Sequence, residues 1–297
     1  MRLSVVMAVF NGARTLDATL QSILTQSERD FELIAIDDGS TDETPAILAR
    51  CEDPRLRLIT QANAGLTRAL IRGCGEARAD VIARHDCGDR SRPERFARQL
   101  ALLEQGHAVV SCATRFVDGD GDFLYVSRAN GEEVRRSLVS DDARAIHALP
   151  HHGSAMFTRD AYERAGGYRE EFRVAQDLDL WIRIARDGGT FAIDDEVLYE
   201  ATVDARSISG TARDAQVRLT EIAVALRDGR GSLDDARAVQ PARMTPRGEA
   251  AALYFIARCL LRQKNRKGWR MLLDAIRRDP LLLWSAAAKL PLSKRRR

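Results

Sequence analysis

Lysine is missing from the first 263 residues of this 297-residue chain, and all four lysines (Lys264, Lys267, Lys289 and Lys294) follow them. That gap exposes a charge division concealed by the overall balance of +3. From Arg243 onward there are fifteen basic and three acidic residues, a net of +12, whereas the preceding 242 residues carry −9. Long apolar runs are also missing. No stretch reaches the roughly 18 residues that a membrane-spanning helix needs, so no span is expected. The start, MRLSVVMAVFNG, holds a short apolar run that stops at Asn11-Gly12 without a small-residue cleavage site, which reads as a strand and not a signal peptide. The five cysteines, at 51, 74, 87, 112 and 259, form no CxxC pair. Neither a zinc site nor a disulfide framework is therefore indicated, and a reducing cytoplasm fits. No GxGxxG or GxxxxGK[ST] run follows a strand, which removes the main support for dinucleotide and P-loop readings.

What is present is an alternation of strand and helix. An apolar content of 45% suffices for a proper core, and the length suits one large domain with an appendage. Residues 3–10 read as a strand buried on both faces, and 31–36, 56–59 and 81–83 as further strands. Leu16, Leu20, Ile23 and Leu24 recur with helical spacing, and residues 65–78 form another helix. Ser40/Glu43 and Ser91/Glu94 have capping-box spacing, with Pro45 and Pro93 near the helix starts. Such alternation predicts an α/β fold whose mostly parallel sheet is flanked by helices. After residue 108 the regularity breaks. Short strands at 109–112, 114–117 and 123–126 predict a mixed extension of the sheet, followed by helices at 160–165 and 177–187 and a final strand at 191–199. From about residue 212 the chain turns helical. There Trp269, Leu272, Leu273 and Ile276 share one face, and Lys267, Arg270, Arg277 and Arg278 take the other.

Two acidic pairs stand at strand ends, where an open α/β sheet binds its ligand. Asp37 and Asp38 close the strand in FELIAIDDGSTDET. Asp86 and Asp89 follow the strand in ADVIARHDCGDRSRPERF. A third acidic group, in QDLDLW at 176–181, offers a base.

SVVMAVFNG, FELIAIDDGSTDET, NAGLTRAL, ADVIARHDCGDRSRPERFARQ, HHGSAMFTRDAYERAGGY and QDLDLWIRIARDGG occur in an order that resembles the family 2 glycosyltransferases, over roughly residues 3–210. The resemblance implies a GT-A (Rossmann-like) catalytic domain over 1–211, with a basic helical region over 212–297. It also implies inverting transfer of one sugar from a nucleoside-diphosphate sugar. Asp38 takes the place of the residue that accepts from a base N–H, favouring a UDP- or dTDP-type donor. Asp37 either fixes the loop through an Asx turn or reaches the ribose. Ala8 and Phe10 end strand one beside the same crevice. Arg68 either meets the diphosphate or is an exposed helical arginine. Asp86 serves the nucleotide sugar, and Asp86 and Asp89 would hold Mg²⁺ or Mn²⁺, oxygen-loving cations. Here the chain departs from the family pattern: Gly88 stands where a metal-ligating Asp is usual, and the histidine expected after the final strand is missing from VLYEATVDARSISG. Without a metal, Arg68, Arg84 or a loop cation would have to meet the leaving diphosphate. Asp177 takes the place of the general base. His152, Gly167 and Trp181 fall on the acceptor side. For His151 and His152, substrate contact and a satisfied buried histidine both stay open. Trp181 is read either as a stacking platform or as core.

The absence of a QxxRW motif and of spans favours single-residue transfer. The acceptor would be a glycan or lipid-linked sugar in surface polysaccharide assembly. The basic tail, ending LLLWSAAAKLPLSKRRR, suggests attachment to the anionic inner face of the cell membrane; a solvated arginine-rich helix face is the plainer reading. Nucleic acid is not expected, since no reader motif accompanies the charge. Gly88 also leaves open a silent sugar-nucleotide-binding scaffold.

Overall fold

The computed structural model describes residues 1–140, 146, 149–204, 213–240 and 246–282. Its first part alternates as the hydrophobic pattern predicts: β1 (Leu3–Val9), α1 (Ala13–Leu24), β2 (Phe31–Asp37), α2 (Thr44–Ala49), β3 (Leu56–Thr60), α3 (Leu66–Glu76) and β4 (Val81–Arg84). β1 and β2 are apolar on both faces because helices cover both sides. Along β1, Val6 packs with Leu70, Phe157 and Trp181 on one side, while Val5 and Met7 pack with Leu16, Ile23 and Phe96 on the other. This is the two-residue period of a strand divided between two cores.

β1 pairs in parallel with β2 on one edge and with β4 on the other. From β1 the chain steps out to β2 and β3 on one side and crosses back to β4 on the other, and at this reversal of strand order a crevice opens beyond the carboxyl end of β1. Past β4 the sheet is mixed. β8 (Met156–Thr158) runs antiparallel to both β4 and β6 (Val109–Asp118). β6 pairs in parallel with β9 (Phe191–Val203), which ends antiparallel to the two-residue β5 (Arg90–Ser91). β7 (Phe123–Ser127) returns along the distal half of β6.

Several local expectations need correction. The strands read at 109–112 and 114–117 are one ten-residue strand, β6, whose register against β9 shifts near Ala113. A bulge, not a break, absorbs the irregular pattern there. Neither capping box forms. The Ser40 hydroxyl accepts from Asn11 N–H (2.9 Å), and Asp42 accepts from Thr44 N–H (2.9 Å) at the start of α2. Ser91 lies in β5 and holds His85 and Arg95, so the Phe96 amide of α4 (Arg95–Leu103) donates to Gln26 instead (3.0 Å). Tertiary partners outcompeted the local ones. α5 (Gly131–Val139) was not anticipated, although Asn130 caps it by accepting from Glu132 and Glu133 N–H.

α6 (Arg159–Arg164), α7 (Gln176–Arg186), α8 (Arg213–Arg227) and α9 (Leu233–Ala238) complete the αβ body. Leu219, Ala223, Ala236 and Val239 share the core that contains Trp181, so α8 and α9 pack with the sheet even though they follow the boundary anticipated at 211. α10 (Pro246–Arg262) and α11 (Lys267–Arg278) form a hairpin. Ile256, Cys259 and Leu260 of α10 rest on Leu124 of β7 in a separate small cluster. Lys267 pins the hairpin to the β6–β7 turn by donating to Asp118 (2.5 Å), Asp120 and Asp122 (3.1 Å). The expected amphipathic terminus from residue 283 lies outside the described residues, in which no helix is long and apolar enough to cross a membrane.

Candidate active site

The crevice is walled by loops that lock onto one another. Beyond β1, Ala8 is half-buried, Val9 is buried and Phe10 stands 53% exposed at the mouth. Asn11 and Gly12 bind across to the β2–α2 loop: Asn11 Oδ1 accepts from Thr41 N–H (2.8 Å), and Gly12 N–H donates to Thr44 Oγ1 (2.9 Å). Asp37 is buried and accepts from Ser40 N–H (3.0 Å), three residues on, which fixes the loop. Asp38 is buried as well. It accepts from Gln61 Nε2 (2.7 Å) and from the amides of Ala64 (2.9 Å) and Gly65 (2.8 Å). It thereby anchors the loop that opens α3. Arg68, on the first turn of α3, is 58% exposed and pairs with Glu170 (3.0 Å). Thr67 Oγ1 donates to Phe172 O (2.7 Å), which ties the same turn to the segment leading into α7.

On the other flank of β1, the end of β4 is organised by two fully buried arginines. Arg84 donates to Val6 O (2.8 Å), to His85 O (3.0 Å) and to the Asp86 carboxylate. Arg95 donates to Arg84 O (2.8 Å), Gln99 Oε1 (3.0 Å) and Ser91 Oγ (3.0 Å), and lies 4.9 Å over the Tyr199 ring. Burial of Asp86 would favour its neutral acid, but the Arg84 guanidinium and nearby histidines win and hold its carboxyl well below the ordinary range. Asp89 moves the other way. Its burial, and the negative charge of Asp86, push it well above the usual carboxylate value although Thr202 N–H donates to it (2.9 Å). One ligand atom each from Asp86, Asp89 and His151 lies within 4.8 Å of the others, the sole such cluster of His, Cys, Asp and Glu among the described residues.

Asp177 sits in the first turn of α7, after Ala175 in a left-handed conformation (φ 57°). Such strain in a residue other than glycine persists only where surrounding packing enforces it. Burial raises the Asp177 carboxyl above its ordinary 3.8, opposed by backbone amides. The Asp86 charge raises it further and Arg84 lowers it. Asp177 thus lies within electrostatic reach of the Asp86 cluster, while the Thr67–Phe172 bond brings the Asp38 loop alongside its segment.

A family model described as glycosyl transferase family 2 matches residues 4–166. EpsE of Bacillus subtilis (strain 168), a protein with a glycosyltransferase name, is 33% identical over 211 residues, covering 68% of this chain and 73% of EpsE. The chain belongs to glycosyl transferase family 2. This family 2 glycosyltransferase is also 28% identical over 190 residues to the O-antigen biosynthesis glycosyltransferase WbnJ of Escherichia coli, covering 62% of this chain and 72% of WbnJ. Staphylococcus aureus TarS 1–349 in complex with UDP superposes with a TM-score of 0.61 at 14% identity, over 98% of this chain and 92% of that one. The mannosyltransferase PcManGT of Pyrobaculum calidifontis, in complex with GDP-Man and Mn²⁺, gives 0.59 at 22% identity, over 96% and 83%. These likenesses establish the GT-A fold.

Three acceptor-side assignments change once the glycosyltransferase is seen in three dimensions. Trp181 is fully buried, packed edge-on against Phe157 and Phe191, so it cannot stack on a sugar. The Gly167 backbone has φ +67°, and a side chain there would strike the Tyr162 ring at 3.0 Å. Its glycine serves that packing and not a ligand's approach. His152 is buried, with Nε2 bonded to Tyr168 Oη (2.8 Å), and burial depresses its pKa to about 3. It is a neutral structural histidine. Arg84, considered as a partner for the diphosphate, is committed beneath Asp86 instead. The reading from sequence missed Arg95, Tyr199 and the part played by His151. Tyr199 and His151 owe their place to strands paired late in the sheet, and Arg95 reaches Arg84 O from the start of α4.

Proposed function

We propose that this glycosyltransferase moves a single sugar, with inversion, from a UDP- or dTDP-sugar to a hydroxyl of a glycan or lipid-linked acceptor in surface polysaccharide assembly. The observation that carries the reading is Asp177, half-buried at the start of α7, raised in pKa and sensing both Asp86 and Arg84. A single displacement needs one carboxylate beside the acceptor hydroxyl, opposite the leaving diphosphate, and a pKa moved toward neutrality suits a base. Phe10 offers an exposed ring to a base at the crevice mouth. Ala8 lines the same end of β1, and Asp37 and Asp38 shape the loop beneath. Asp86 and Asp89 would hold Mg²⁺ or Mn²⁺, which supplies positive charge to the departing diphosphate when bound. The polysaccharide assignment is supported by relatives such as WbnJ, and by the succinoglycan biosynthesis protein ExoO of Rhizobium meliloti, 33% identical over 140 residues. Those 140 residues cover 47% of this chain and 38% of ExoO.

The test is a thermal-shift screen with UDP-, dTDP- and GDP-sugars, followed by NMR of the anomeric configuration in the product. A ligand bound to the native state at a hundred times its Kd adds about 2.7 kcal/mol of stability, enough to rank donors. Retention of configuration, or no stabilisation by any nucleotide sugar, would sink the proposal.

The same reading places the α10–α11 hairpin against the anionic inner face of the membrane, holding the enzyme near a lipid-linked acceptor. Trp269 and Leu273, one turn apart, are 60% and 54% exposed, with Arg270 and Arg277 beside them on α11. Exposed Trp and Leu flanked by arginine suit the headgroup boundary, where each basic side chain contributes about 1 kcal/mol. In flotation with vesicles containing phosphatidylglycerol, the intact protein is expected to float and the Trp269→Asp/Leu273→Asp variant to stay below. Equal flotation of both would reject this surface.

A further inference from the structure

We propose that His151 is the third protein ligand of the divalent cation and that it takes over from the carboxylate lost at position 88. The proposal rests on the glycosyl-transfer reading above and adds to it a ligand from a different part of the chain.

Position 88 has been rebuilt and does not merely lack a side chain. Gly88 adopts φ +104°, a conformation L-residues rarely accept, and a Cβ built there would face Thr15 Oγ1 at 3.6 Å. The loop is fixed on both sides: Gly88 N–H donates to Thr19 Oγ1 (3.0 Å), and Thr202 Oγ1 donates to Gly88 O (2.8 Å). A carboxylate at 88 would begin its course against Thr15 of α1.

His151 arrives from the turn before β8. Its ring is set by two aromatic neighbours, Phe116 edge-on at 5.3 Å and Tyr199 tilted at 5.5 Å. Its Nδ1 is shut off from solvent and has no hydrogen-bond partner, although the ring as a whole keeps some exposure. A buried ring nitrogen left bare costs free energy unless something completes it. Within 4.8 Å of one of its ring nitrogens lie oxygens of Asp86 and Asp89, whose charges repel each other, surroundings a cation would relieve. The close approach is also built in. A side chain at Gly153 would come within 2.7 Å of Asp86 Oδ2 and 2.5 Å of Tyr199 Oη, so only glycine lets this turn lie against Asp86. His152 next door is spent on Tyr168 and Arg84, which leaves His151 as the available imidazole.

The donor set has a consequence for metal choice. Three oxygens would suit Mg²⁺. Exchanging one for imidazole moves preference toward the first-row transition ions, so Mn²⁺ should be favoured over Mg²⁺.

Mn²⁺ binding to the full-length protein, followed by electron paramagnetic resonance with UDP present, tests this without any turnover. Spin-echo modulation should show nitrogen coupling to the bound Mn²⁺ that vanishes in His151→Ala, with Mn²⁺ affinity lowered about tenfold or more. His151→Asp should keep the ion and narrow the Mn²⁺/Mg²⁺ gap, and Gly88→Asp should fail to restore binding to His151→Ala. Thermal melts of each variant establish that it folds. Unchanged Mn²⁺ affinity and coupling in a folded His151→Ala protein would overturn the assignment, as would rescue by Gly88→Asp. Wild-type protein that binds UDP but no Mn²⁺ would overturn it while leaving the glycosyl-transfer reading standing. Failure to bind either UDP or dTDP, with or without metal, would remove both.

Discussion

Replacing Asp177 with asparagine is expected to lower glycosyl transfer by about 10²- to 10⁴-fold, the range a positioned general base supplies, with donor nucleotide affinity nearly unchanged. The isosteric amide keeps the start of α7 intact but cannot accept the acceptor hydroxyl's proton. A pH profile gives a second readout. The base works ionised, so the rate should fall as pH drops through the pKa of Asp177. Burial and the Asp86 charge place that acid limb above the ordinary carboxylate value of 3.8. Arg84 acts oppositely, and Tyr168, whose phenol senses the Asp177 charge, stays neutral through the range because burial holds its pKa far up. Transfer by Asp177→Asn at the wild-type rate, or an acid limb below 3.8, would remove Asp177 as the base.

Arg84→Met is expected to be the most destabilising single change at the site. The methionine fills most of the volume but leaves His85 O without a donor, Val6 O with the His85 amide alone (3.2 Å) and Asp86 without its counter-ion. Stripping one partner from a buried ion pair costs about 3–5 kcal/mol. Asp86 is 34% exposed, and water will screen part of its charge, so the lower end of that range, about 3 kcal/mol, is expected. Urea unfolding measures it directly. A loss below about 1 kcal/mol would show that Arg84 does not organise the end of β4, since even one unsatisfied buried carbonyl should cost that much.

Both predictions concern residues whose visibility in the sequence differs. Asp177 could be read because it belongs to a short motif, QDLDLW, at the start of a periodic helix. Arg84 could not be understood so early. In the string VIARHD it is one charged residue after a strand, and nothing local says that it turns inward beneath the aspartate two residues on. The sequence leaves Trp181 open. Its place in the QDLDLW motif allowed a stacking platform and its helical spacing from Asp177 allowed core, and only the packing of Phe157 and Phe191 against it decides for core. The capping boxes at Ser40 and Ser91 failed because those hydroxyls had better partners across the crevice than along their own helices.

The α/β alternation, the two acidic strand ends and the acidic start of α7 were fixed by local signals: apolar periodicity, turn residues and short motifs act over a few positions and leave their mark in one dimension. The grouping of Asp86, Asp89 and His151 was decided in three dimensions. Gly88 announces a loss that chain order cannot make good, because His151 lies 63 positions further on and reaches Asp86 only after β8 has paired antiparallel to β4. Strand pairing spends long-range contacts that no local pattern encodes, and here those contacts determined which imidazole stands beside the carboxylates.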